Sequence, residues 1–104
     1  MSIVLPERDS GRFERPIDQL VFVSATSPPQ GIANTIFRAL FDQGMLLTLR
    51  AVGAGAVCQA CKGIAIARGQ VAVRGLDLGT SIGFDHVEIQ GKDRSAQTFT
   101  LFLR

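Results

Sequence analysis

The hydrophobic pattern along this chain predicts an α+β fold, a two-layer sandwich of order β-α-β-α-β-β with two helices on one face of a four-stranded mixed sheet. Three observations carry that prediction. Two short β-rich runs, around residues 20–23 and 46–52, are each followed by a longer stretch whose apolar residues recur three and four apart. The last thirty residues instead read as strand, turn and strand. Two helices cannot cover both faces of four strands, so they share one, and the other face meets solvent or a second subunit.

In the first strand, Leu20-Val21-Phe22-Val23 is apolar on both faces, as a buried central strand would be. Ser27-Pro28-Pro29-Gln30 reads as a helix start, with Ser27 as N-cap, Pro28 at the first helical position and Gln30 completing a capping box. Ile32, Ile36 and Leu40, with Ala33, Phe37 and Phe41, form one broad apolar face, while Asn34, Arg38 and Asp42 point away from it. Gly44 is the expected left-handed residue after that helix. The second strand alternates, Leu47, Leu49 and Ala51 against Thr48 and Arg50. The second helix follows Gly53-Ala54-Gly55 and runs to about Arg68, with Val57, Ala60, Cys61, Ile64 and Ala65 inward and Gly69 ending it. Leu76-Asp77-Leu78 starts the third strand, and a shift of apolar parity between Phe84 and Val87-Glu88-Ile89 suggests a bulge near Asp85-His86. Gln90-Gly91-Lys92-Asp93 is the hairpin turn, and Phe99, Leu101 and Leu103 alternate with Thr98 and Thr100 in the last strand.

Composition bounds the function. A chain of 104 residues, 46% apolar and 19% charged, makes one globular domain and excludes a disordered tail protein. Residues 1–17 hold two prolines and self-cancelling charges, and are expected to form a flexible extension with Ile3-Val4-Leu5 docking loosely as an edge segment; residues 18–104 are the domain. No apolar run approaches the ~18–20 residues needed to cross a bilayer. The start, Met1 to Glu7, turns acidic too soon for a secretory signal, so a cytoplasmic protein with no membrane partner is expected. A net charge of +2 permits nucleic-acid binding without announcing it.

Signatures of catalysis are nearly absent, and no enzyme and no cofactor are expected. The single histidine, His86, sits beside Asp85, but neighbours on a strand point to opposite faces. Cys58 and Cys61 have no further pair or His cluster to complete a zinc site. With Cys61 on the inward stripe and Cys58 at its margin, both read as reduced packing residues that hold no metal. Gly53-Ala54-Gly55 lies between a strand and a helix, where bare N–H groups suit an anion; tight packing of the turn and helix is the nearer explanation of the glycines. A dinucleotide fingerprint lacks its third glycine, since Cys58 stands there.

Several segments together resemble the stage V sporulation protein S family. They are Val52-Gly53-Ala54-Gly55-Ala56-Val57, then Gln59-Ala60, Lys62 and Ile64 to Gly69, with Val21 to Ala25 leading to Ser27-Pro28, and Gly75-Leu76-Asp77-Leu78. The likeness spans residues 20–104. It implies an Alba-like fold, a homodimer or higher homo-oligomer, and weak, non-specific binding of DNA or RNA through Ser24 to Gln30, Gly53 to Gln59 and the hairpin from about Glu88 to Arg94. The first two of those regions carry no positive charge here. In the family the Cys58 position looks like Asn and the Cys61 position aliphatic. The expected contacts are backbone-led: Arg50, Gly53, Gly55, Gln59, Lys62, Arg68, Arg74, Lys92 and Arg94. The competing expectation is a protein-interaction or assembly module that keeps the fold without binding nucleic acid.

Overall fold

The computed structural model describes residues 19–44 and 46–104; the expected extension and its edge segment lie outside them. In chain order the elements are β1 (Gln19–Val23), α1 (Pro29–Phe37), continued by a π-turn (Arg38–Asp42), β2 (Leu47–Ala51), α2 (Ala54–Ala72), β3 (Leu78–Ile89) and β4 (Lys92–Leu103). The sheet order is β1-β2-β4-β3, parallel between β1 and β2 and antiparallel elsewhere. The expected α+β architecture is what the chain adopts.

One face of the sheet meets both helices. Leu47, Leu49, Ala51, Phe99, Leu101 and Leu78 are buried there against Ile32, Ala33, Ile36 and Ala39 of the α1 segment and Ala56, Ala60, Ala67 and Val71 of α2. Fully burying each of the larger side chains stabilises the fold by about 1.5–3 kcal/mol. The helices touch where Gly63 faces Ile32: a Cβ on Gly63 would lie 2.6 Å from Ile32 Cβ, so only hydrogen permits this approach. That contact corrects the expected stripe on α2. The buried positions are Ala56, Ala60, Gly63, Ala67 and Val71, whereas Cys58, Cys61 and Ala65 are exposed. Counting apolar side chains overlooks a glycine that packs because it has none.

Five other local expectations change. β1 is an edge strand, not a central one; its outer face shows Phe22, 59% exposed, to solvent. Ser27 does not cap α1. Its Oγ accepts from the Ser24 N–H at 2.9 Å, Pro28 is the N-cap, and Gln30 Nε2 donates to Asn34 Oδ1. Gly69 does not end α2, which runs on to Ala72 and leaves through Gly75 at φ +78°. No bulge interrupts β3, because its ladder to β4 is continuous from Leu78↔Leu103 to Ile89↔Lys92. The parity shift has another cause. Ile82 and Phe84 lie on the helix side of the ribbon and Val87 and Ile89 on the outer side, where Ile89 joins Phe22, Val23, Ala25 and Val52 around a groove of about 360 Å³. Gly44 is left-handed as expected, at φ +62°. The hairpin turn falls one residue earlier than expected, because Lys92 and Asp93 already pair in β4 with Ile89 and Glu88. Gln90 and Gly91 take φ +53° and +76°, the pair of positive values that a two-residue type I′ turn demands.

Candidate nucleic-acid interface

β1 and β2 are parallel and end at the same edge of the sheet, so the loops that follow them lie side by side. β4 pairs with β2 only from Gln97 onward. The preceding part of the β3–β4 ribbon, from Asp85↔Ala96 to Ile89↔Lys92, therefore projects past that edge as an arm, with a reach of about 15 Å at ~3.4 Å per residue. Arm tip, β1–α1 loop and start of α2 share one end of the molecule.

The two loops are tied together. Gln59 Nε2 donates to Ser27 O at 2.8 Å, and a Cβ on Gly55 would stand 3.0 Å from Ala25 Cβ. The hydroxyls of Ser24, Thr26 and Ser27 bond among themselves, 3.1–3.2 Å apart. The start of α2 has no side-chain cap and no acidic residue in its first turn, leaving its first N–H groups bare beside Gly53 and Gly55.

Register divides the arm's charges by face. Val87, Ile89, Lys92 and Arg94 share the outer face, whereas His86, Glu88 and Asp93 share the other. Glu88 stands directly opposite Asp93, and His86 Nδ1 is 3.6 Å from Asp93 Oδ2. The backbone N–H of His86 donates to Asp85 Oδ1 at 2.9 Å, while its side chain lies on the other face from that carboxylate. At the base of the arm Arg50 crosses the outer face of the sheet. Its guanidinium pairs with Asp85, passing β4 at Ala96, which is fully buried. Toward β1 it lies 5.4 Å above the ring of Phe22. One side chain thus straps four strands.

The structure brings Gly53, Gly55, Gln59, Lys92 and Arg94 to one end and disperses the other expected contacts. Arg50 is nearby but neutralised by Asp85. Lys62 is exposed two turns into α2. Arg74 lies about 28 Å from Gly55 along the helix rise, stacked 5.1 and 4.8 Å above Phe37 and Phe41. Arg68 is held by Asp77 at 2.8 Å, and Arg104 reaches the same carboxylate at 3.3 Å. The hydrogen bond between Arg68 and Asp77 raises the guanidinium's pKa and lowers the carboxyl's. Sequence reasoning leaves Arg38 and Arg104 out of the set. Arg38 reads as an outward helix residue, and only its place beside Arg74 makes it notable. Both thiols are exposed and unpaired, against the packing role expected for them. Among the described residues, no three His, Cys, Asp or Glu side chains gather as metal ligands, and no helix is long and apolar enough to cross a membrane.

Comparison with known families adds the decisive observation: the description "Stage V sporulation protein S (SpoVS)" matches residues 19–104. The chain belongs to the SpoVS family. The match takes in every element described above, so the arm, the strap and the two tied loops all lie on the family's domain. At the coarse level this SpoVS domain is a small sporulation-associated protein.

Proposed function

We propose that this SpoVS domain is a non-catalytic regulatory protein that contacts the backbone of DNA or RNA weakly, through the outer face of the arm. One observation carries the reading: Lys92 and Arg94 stand exposed on the same arm face, with no carboxylate partner among the described residues, at the end that also holds the bare start of α2. Alternate residues of a strand are about 7 Å apart, close to the spacing of phosphates along one strand of nucleic acid. No aromatic side chain shares that arm face, so base stacking adds little and sequence preference is low.

Two or three phosphate contacts per subunit place the affinity near the ~10⁻⁴–10⁻⁶ M of non-specific binding. Titration of labelled DNA and RNA at two salt concentrations tests this. Replacing Lys92 and Arg94 together by Ala weakens every sequence alike and flattens the slope of log affinity against log salt by up to about 2.

A second reading, an assembly module that pairs with a second copy, is favoured by apolar exposure around the same end: Ile82 at 65% and Phe84 at 74% on the helix side of the ribbon, and Phe22 on the outer face of the sheet. It prevails if neither nucleic acid binds at low salt while light scattering shows a dimer.

A further inference from the structure

At the end of the molecule away from the arm, the π-turn after α1 and the end of α2 line an open cleft of about 570 Å³. Its walls include Phe37, Arg38, Asp42, Gln70, Val73 and Arg74. The volume falls within the ~300–1,000 Å³ of small-molecule sites, and the walls combine three features that a purely structural cleft does not need.

The first is a pair of guanidinium groups from different segments, Arg38 in the π-turn and Arg74 in the turn just past α2. Arg74 is stacked on Phe37 and Phe41, whose rings are 4.6 Å apart. The ring contacts hold the guanidinium in place without using its N–H donors, which have no hydrogen-bond partner among the described residues. Neither Arg74 nor Arg38 makes a salt bridge among the described residues; Asp42 is the one carboxylate on the wall. The second is Gln70, whose Oε1 is buried with no hydrogen-bond partner among the described residues. An acceptor in that state calls for a donor. The third is the π-turn itself, where Gln43 N–H donates to Arg38 O at 3.1 Å. Such turns are rare and concentrate at functional sites. Val73, 86% exposed, adds apolar surface at the lip.

Two effects oppose an anion here, the Asp42 carboxylate and the negative ends of two helices. At the end of α2 the carbonyls of Val71 and Ala72 are already bonded to the N–H groups of Arg74, Leu76 and Gly75 at 2.9–3.2 Å, which blunts its contribution. Contact with two guanidinium forks is shorter-ranged and charge-assisted, so it outweighs a screened dipole, and affinity is modest.

We propose that this cavity binds a small organic anion carrying a flat ring and an N–H or O–H donor. The anionic group meets Arg38 and Arg74, the Gln70 side chain turns toward the cleft to bring its buried Oε1 to the donor, and the ring lies against the exposed Val73. Nucleoside monophosphates and amino-substituted aryl carboxylates share that chemistry.

The test is an amide chemical-shift titration of the full chain with adenosine 5′-monophosphate and, separately, with 4-aminobenzoate, using inorganic phosphate and adenosine as controls. The expected result is a saturable shift at Phe37, Val73 and the Gln70 side-chain amide with at least one of the two anions at millimolar concentration. Which one saturates identifies the source of the anion. Arg38 is exposed, so Arg38→Gln leaves the fold intact. It weakens that binding about tenfold, the loss expected for a charge-assisted hydrogen bond. Gln70→Leu weakens it independently of charge. The proposal is overturned if neither anion saturates, if inorganic phosphate gives the same shifts, or if Arg38→Gln leaves affinity unchanged. Shifts confined to Lys92 and Arg94 would overturn it while supporting the arm as the anion-binding surface.

Discussion

At the arm end, Lys92 and Arg94 stand on one face of a two-stranded ribbon with Glu88 and Asp93 on the other. At the opposite end, Arg38, Arg68, Arg74 and Arg104 meet only Asp42 and Asp77. The arm tip is electrically balanced but polarised, and its cations are uncommitted. The far end carries an excess of two positive charges, four against two, yet Arg68 and Arg104 are paired with Asp77, and Arg38 and Arg74 stand over a cleft that also holds Asp42. Total charge and available charge are therefore different quantities here, and a phosphate backbone responds to the second. That is why the arm carries the proposed function although the far end is the more basic.

The two ends are held apart by the α1–α2 pair, and the largest expected effect comes from breaking it. Gly63→Val drives a branched side chain into Ile32 and destabilises the domain by about 3 kcal/mol. The melting temperature then falls by roughly 10–20 °C. Calorimetry should show one transition, with both ends lost together; an arm that keeps its amide protection after the helices melt would make the two ends separate units.

A middle-sized effect separates the ends instead. Arg50→Met keeps the apolar stem over Phe22 and Ala96 but removes the ion pair with Asp85. Asp85 is 41% exposed and water can satisfy it, so the loss is about 1 kcal/mol. Hydrogen exchange should speed up for residues 85–96 and stay unchanged for residues 68–77.

The smallest effect lies at the far end. The hydrogen bond from Arg68 lowers the Asp77 pKa below the ordinary aspartate value of 3.8. The stability it confers is thus fully present above that value and is lost as pH falls through the lower, folded-state pKa. Asp77→Asn should melt slightly below the parent protein at neutral pH, and the difference should close only in acid. A difference independent of pH would assign the loss to packing.

Much of the fold is legible in local pattern. The alternation of Leu47, Leu49 and Ala51, the i, i+4 spacing of Ile32 and Ile36, and the left-handed Gly44 are short-range features whose physics is complete within a few residues. Local pattern misleads where a distant partner decides. The apolar outer face of β1 is covered in part by Arg50, so the strand can sit at an edge. The inward face of α2 is set by Gly63, whose value lies wholly in its closeness to Ile32. The site is half legible for the same reason. Lys92 and Arg94 sit on a hairpin whose turn is local, so sequence alone singles out both. Whether Arg50, Arg68 or Arg74 can serve depends on Asp85, Asp77 and two phenylalanines, whose proximity no spacing rule reveals.

β3 is the outer strand of the sheet, twelve residues long, and offers a row of backbone donors and acceptors to any extended chain laid alongside. Its stretch Thr80-Ser81-Ile82-Gly83-Phe84 is uncharged and β-prone, the composition from which aggregates grow. Immediately beyond it stand Asp85, His86 and Glu88, with Asp93 facing Glu88 across the ribbon. Clustered carboxylates repel a third strand bearing the same sequence and discourage stacking copy upon copy. The residues that deprive the arm tip of net positive charge thereby act as gatekeepers of colloidal stability.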